Sequence, residues 1–262
     1  MIWLLTFLFL SFSDQPENTA NIDHKELLSY IETGHKDKPS VLFIHGTPGN
    51  AKAFKAYYED KEFQTLYHMV SVDRIGFGKS IKVPESSLVK HADSVLKVLK
   101  YTWPDKKFSC VGHSYGVPIC LYLFIKDPSR FHGGVMIAGV SDPNRKILRW
   151  YNYWASTWFV KLFLSRGFEN SNLEMKHLKQ ELYKLEPLLK TIDKKVLIIH
   201  GQKDKIVPFS DSQHLKKNMT NADLKVLSPK EMGHLFIWTQ KNYLKNELKI
   251  FLNNLNSIRS QK

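Results

Sequence analysis

Residues 110–118 read CVGHSYGVP, and the serine at their centre decides how the rest of the chain is read. The run before it, Phe108 to Gly112, is apolar and of strand length, while Val117 to Ile125 has the apolar content of a buried helix. A strand-to-helix turn this short drives its middle residue toward positive φ and crowds the backbone around it. Only small residues then fit on either side, and Gly112 and Gly116 meet that need. The hydroxyl of Ser114 is thereby held clear of the sheet at the positive end of a helix, where the N–H of Tyr115 can donate to a developing oxyanion. Pro118 fits the same account, because first-turn N–H groups have no intrahelical partner to lose. Taken alone, G-x-S-x-G also arises by chance as an ordinary glycine turn.

Outward from this turn, short apolar runs alternate with longer amphipathic segments, the pattern of βαβ units and a mostly parallel sheet. The expected strands are Leu28 to Thr33, Val41 to His45, Met69 to Asp73, Phe108 to Gly112, Gly134 to Ala138, Val196 to His200 and Leu224 to Leu227. Leu88, Ala92, Val95, Leu96 and Leu99 share one helical stripe, and Ser210 to Met219 and Lys241 to Leu255 also read as helices. Residues 140–194 form a connection far longer than a simple crossover needs. It begins with an aromatic-rich stretch and continues as a charged helix carrying Leu178, Leu182, Leu185 and Leu189, so a small helical cap is expected between two body segments, 22–139 and 195–262. Cys110 and Cys120 fall on a strand and on the following helix. The ordinary spacing of a helix packed on a sheet, about 10 Å, predicts two buried thiols and no disulfide.

A serine hydroxyl needs a base, and the base needs an anion to fix its tautomer. Of the 11 histidines, His234 in EMGHLFIW lies on a loop between the last expected strand and helix, with Gly233 freeing the backbone to aim the ring. Asp204, in HGQKDKIVP, follows the strand Val196 to His200 on a tight loop; Asp142, one strand earlier, is the competing acid, with turn or cap-hinge duty as its other reading. The loop HGTPGN, residues 45–50, closes another strand and places the N–H of Thr47 as a second oxyanion donor beside that of Tyr115.

With these pieces in the order Ser, Asp, His, the sequence resembles the α/β-hydrolase superfamily over nearly the whole body, through HGTPG, DRIGFGKS at residues 73–80, GHSYG, GQKDKIVP and MGH. The resemblance implies an α/β-hydrolase fold with Ser114 as nucleophile, His234 as base, Asp204 as acid, and Thr47 and Tyr115 as backbone donors. It also implies a cap where residues 140–194 fall. It gives Asp73, Arg74, Gly76 and Gly78 a structural place without chemistry, and His45 and His113 scaffold places near the site. Serine at the elbow departs from family epoxide hydrolases and haloalkane dehalogenases, which carry aspartate there, and the peptidase-type HGGPG and esterase-type HGGG loops are absent.

The expected reaction is therefore hydrolysis of a carboxylic ester through an acyl-enzyme, with no cofactor and no metal. A C–C, amide or thioester bond acted on by the same triad, or a ligand-binding protein on this fold, are the rival readings. Trp150, Trp154 and Trp158 are candidate pocket residues, on a helix apolar on several sides that fits a hydrophobic ester. The 262 residues carry a formal charge of +13, which favours anionic partners. Its lysines and arginines are scattered and no nucleic-acid motif is present; peripheral contact with an anionic membrane is one reading of that charge, and a solvated basic surface that only aids solubility is the other. Residues 1–13, apolar from Ile2 to Phe12, are too short to span a bilayer, which takes about 20 residues. They read as a signal peptide cut before Asp14, or else as a short hydrophobic anchor or a buried N-terminal element; export is the expected fate, with a cytoplasmic location as the alternative.

Overall fold

The computed structural model describes residues 17–22, 26–144 and 166–257. The expected signal segment 1–13 and the three candidate pocket tryptophans, Trp150, Trp154 and Trp158, lie outside the described residues.

Eight strands form one sheet: β1 (Glu17–Ile22), β2 (Glu26–Gly34), β3 (Ser40–Ile44), β4 (His68–Val72), β5 (Phe108–His113), β6 (Phe131–Ile137), β7 (Lys195–Ile199) and β8 (Asp223–Leu227). Their order across the sheet is β1-β2-β4-β3-β5-β6-β7-β8. The β1–β2 and β2–β4 pairs are antiparallel, and every pairing from β4 through β8 is parallel. The helices in chain order are α1 (Lys55–Tyr58), α2 (Lys61–Leu66), α3 (Leu88–Thr102), α4 (Gly116–Lys126), α5 (Arg166–Leu185), α6 (Ser210–Asn218), α7 (Phe236–Thr239) and α8 (Lys241–Ser257).

The central strands are buried along their whole length, as parallel strands covered on both faces must be. Alternate residues feed two cores. Leu42, Ile44, Val70 and Val72 pack with α3, α4 and the leucines 178, 182, 185 and 189 of α5 and the turn after it. Val41, Phe43, Met69, Val111 and Leu197 pack on the other face with α1, α2 and α8. The sheet also extends ahead of residue 22, since β1 pairs along β2 from Glu17↔Ile31 to Ile22↔Glu26. Its sequence ENTANI lacks the apolar alternation that marks a strand.

Cys110 and Cys120 form a disulfide, against expectation, with Cα atoms 6.0 Å apart. The reason lies in the glycines of the elbow. A Cβ on Gly116 would meet the Ile44 carbonyl oxygen at 2.2 Å, and one on Gly112 would meet the Gly116 oxygen at 2.8 Å. The start of α4 therefore lies almost on the strands, far inside the usual helix-to-sheet spacing, and Cys120 comes within bridging range of β5.

Candidate active site

The elbow has the geometry its sequence calls for. Ser114 joins β5 to α4 with φ at 53°, a left-handed value that a non-glycine residue holds only when its surroundings compel it. Those surroundings are visible: the Ser114 N–H donates to Ile137 O at 2.9 Å, tying the turn to β6, and its carbonyl accepts from Val117 N–H at 3.1 Å. Val117, for which the sequence offers no functional reason, fills the space over Gly139, where a Cβ would lie 2.6 Å from the valine side chain. Ser114 itself is 7% exposed.

Past β7, Asp204 sits on a loop whose own backbone holds it: Oδ1 accepts from the N–H groups of Ile206 and Val207 at 2.9 and 2.8 Å. Its Oδ2 lies 2.8 Å from Nδ1 of His234, on the loop after β8. Burial pushes the Asp204 carboxyl up. Hydrogen bonds from His200 and His234, the charge of His234 and the Val207 N–H outweigh burial and hold it well below the usual carboxylate range. An ionised carboxylate only accepts, so Nδ1 of His234 carries the proton of this contact. Asp142, the competing acid, instead accepts from Asn144 N–H at 2.8 Å in a local turn.

His113 connects the two halves. Its ring centroid is 5.0 Å from that of His234 and 5.5 Å from that of Trp238. Burial, and then the nearby His234, push its pKa down to about 3, so the ring stays neutral. On the other side lies the 45–50 loop, where a Cβ on Gly46 would be 3.0 Å from Cβ of Ser114. The Thr47–Pro48 peptide is cis. Three exposed large apolar side chains neighbour Asp204 and His234 in the chain: Ile206, Leu235 and Trp238. Among the described residues no group of three metal-ligating side chains gathers.

Two partners were not anticipated from the sequence. His200, four residues before Asp204, places Nε2 3.3 Å from the Oδ2 that His234 also uses. Arg74, given no role beyond structure, is buried against the 45–50 loop with Glu174 from α5. Spacing within H-G-Q-K-D hints at the first; no local signal points to a contact between residues 74 and 174.

The sequence model of the family described as alpha/beta hydrolase fold matches residues 39–182. Epoxide hydrolase 3 of Mus musculus is 30% identical over 126 residues, covering 47% of this chain and 32% of that protein. Protein ABHD8 of Mus musculus is 23% identical over 245 residues, covering 81% of this chain and 55% of that protein. The chain thus spans from just under a third to just over half of the length of these curated relatives. Among solved structures, a putative aryl esterase from Burkholderia cenocepacia superposes with a TM-score of 0.75 at 17% identity, covering 92% of this chain and all of that one.

Proposed function

Because the chain belongs to the α/β-hydrolase family, we propose that it is a serine hydrolase cleaving carboxylic esters through an acyl-enzyme on Ser114. One observation carries the reading: a serine at positive φ between strand and helix, next to a histidine ring packed on the Asp204–His234 pair. A non-catalytic ligand-binding protein gains nothing from holding a serine in that conformation.

In the first half-reaction the Ser114 Oγ–H proton passes to Nε2 of His234 as Oγ bonds to the ester carbonyl carbon. The carbonyl π pair moves to oxygen, which rests on the N–H groups of Thr47 and Tyr115. Collapse of this intermediate breaks the bond to the alcohol oxygen, which takes the proton from His234. Water then repeats the sequence on the acyl-enzyme, with His234 as base, releasing the acid and restoring Ser114. Asp204 keeps Nδ1–H in place and stabilises the imidazolium.

Ile206, Leu235 and Trp238, exposed beside the acid and base in the chain, support a hydrophobic acyl or alcohol part. The Cys110–Cys120 disulfide supports export, since such bonds persist in oxidising compartments. Among the described residues no helix is long and apolar enough to cross a membrane. Contact of the basic surface with anionic lipid remains part of the proposal.

A fluorophosphonate probe should label the protein at Ser114, with labelling lost in Ser114→Ala. Across p-nitrophenyl esters of rising acyl length, turnover should peak beyond acetate. Well-folded protein that takes no label would sink the nucleophile; a maximum at acetate would sink the hydrophobic preference.

A further inference from the structure

The family resemblance leaves Arg74 a structural residue, yet its contacts are those of a part of the site. Its side chain and that of Glu174 are both wholly buried, and the carboxylate takes both terminal nitrogens of the guanidinium. Two further donors go to the 45–50 loop: Nε–H to His45 O at 3.1 Å and an Nη2–H to Gly46 O at 3.0 Å. The Arg74 backbone N–H donates to Nε2 of His45 at 3.2 Å, which leaves the proton on Nδ1 to reach Gly46 O at 2.7 Å. Burial, and then the Arg74 charge, hold the His45 pKa well below the ordinary 6.5, in keeping with that neutral tautomer.

Gly46 O belongs to the Gly46–Thr47 peptide. In a trans peptide the C=O and N–H point in opposite directions, and the cis bond of this loop is the next one, Thr47–Pro48. Two donors on Gly46 O therefore aim the Thr47 N–H away from the guanidinium, in a loop that sits against Ser114. A charged donor on the carbonyl also polarises the amide and strengthens its N–H as a donor. The flat of the guanidinium lies 4.9 Å from the ring centroid of Tyr115, the other donor residue, and 4.5 Å from that of Phe77.

We propose that Arg74 is the positioning residue of the oxyanion hole, and that Glu174 couples it to α5. This rests on Ser114 being the nucleophile. Packing alone does not account for the pair, because apolar side chains of similar volume fill such a space at no desolvation cost. They cannot orient two carbonyls. His91, whose Nε2 lies 3.0 Å from Glu174 Oε1, closes the far side of the cluster.

The test uses the full chain in four forms: wild type, Arg74→Lys, the double variant Arg74→Met with Glu174→Leu, and Ser114→Ala. The double variant leaves no buried charge stranded. Fluorophosphonate titration run to completion counts active sites, and kcat is expressed per titrated site on the best ester. The double variant should lose about a hundredfold in kcat, with KM within about threefold of wild type. Arg74→Lys, which keeps the charge but not the fork, should fall between the two. A trifluoromethyl ketone, whose adduct places an oxyanion in the hole, should lose affinity in parallel with kcat. A merely structural role lowers the titrated fraction and the melting temperature but leaves kcat per site and ketone affinity unchanged; that result overturns the inference. If the double variant does not fold, wild-type kcat per site in Arg74→Lys overturns it as well. Turnover persisting in Ser114→Ala would overturn the nucleophile and this inference together, whereas an inert Ser114→Ala beside unchanged kcat in the Arg74 variants overturns this inference alone.

Discussion

Two imidazole–carboxylate pairs sit at opposite ends of the sheet with the same 2.8 Å contact. Asp204 and His234 meet on loops past the C-terminal ends of β7 and β8. Glu32 and His68 meet where the parallel strands begin. In the second pair nothing is left over: Nδ1 of His68 contacts Ser40 Oγ at 3.0 Å, and Glu32 also accepts from Trp103 Nε1 at 3.1 Å. In the first, Nδ1 is fixed on Asp204, and the ring packs against His113, the residue before Ser114, with centroids 5.0 Å apart. The pair of residue types therefore says little. What distinguishes a base from a structural link is the second nitrogen, and the end of the sheet where loops converge and ligands bind.

The most direct way to break this comparison is to remove each ring. His234→Ala should lower kcat by about a millionfold, measured on the best ester, with the urea midpoint nearly unchanged. Asp204→Asn should cost about 10⁴ in kcat by releasing the wrong tautomer; a loss of less than tenfold would return Asp142 or another anion to consideration. The functional end also carries a covalent constraint. Replacing both Cys110 and Cys120 by Ala should cost about 3 kcal/mol in chemical denaturation for a loop of this size, and reductant should destabilise the wild type alike. His68→Ala should cost about 2 kcal/mol of stability while kcat per titrated site stays at the wild-type value; a large drop there would erase the distinction between the two pairs.

The smallest effect is on pH dependence. Burial is the main cause holding His45, His68 and His113 below the ordinary 6.5, and His113 stands at about 3. The unfolded chain therefore takes up protons that the native state refuses as pH falls below about 6.5, so stability should decline toward acid. Each such histidine contributes at most about 1.4 kcal/mol per pH unit in that window. Glu32, Glu174 and Asp204, held below their usual range, add the same sign at lower pH. Urea midpoints at pH 8, 6.5 and 5 test the sign; a midpoint that rises toward pH 5 contradicts it.

Most of the candidate site was legible because its demands are local. Gly112, Gly116 and the positive φ of Ser114 follow from one tight turn, and the loops of Thr47, Asp204 and His234 each end or follow an apolar run that periodicity finds. The disulfide was misread because general helix-to-sheet spacing was applied where glycines bring backbones closer. Strand β1 was missed because a polar edge strand carries little hydrophobic pattern.

By itself, then, the sequence determined the α/β alternation, the elbow and the order Ser, Asp, His, since each is written in short-range steric and apolar patterns. Only the tertiary structure decided that Asp204 and not Asp142 holds His234, and that Glu174 closes on Arg74 from 100 residues away. Those choices belong to a shared core, where a buried charge is tolerated only beside partners that distant segments bring to it.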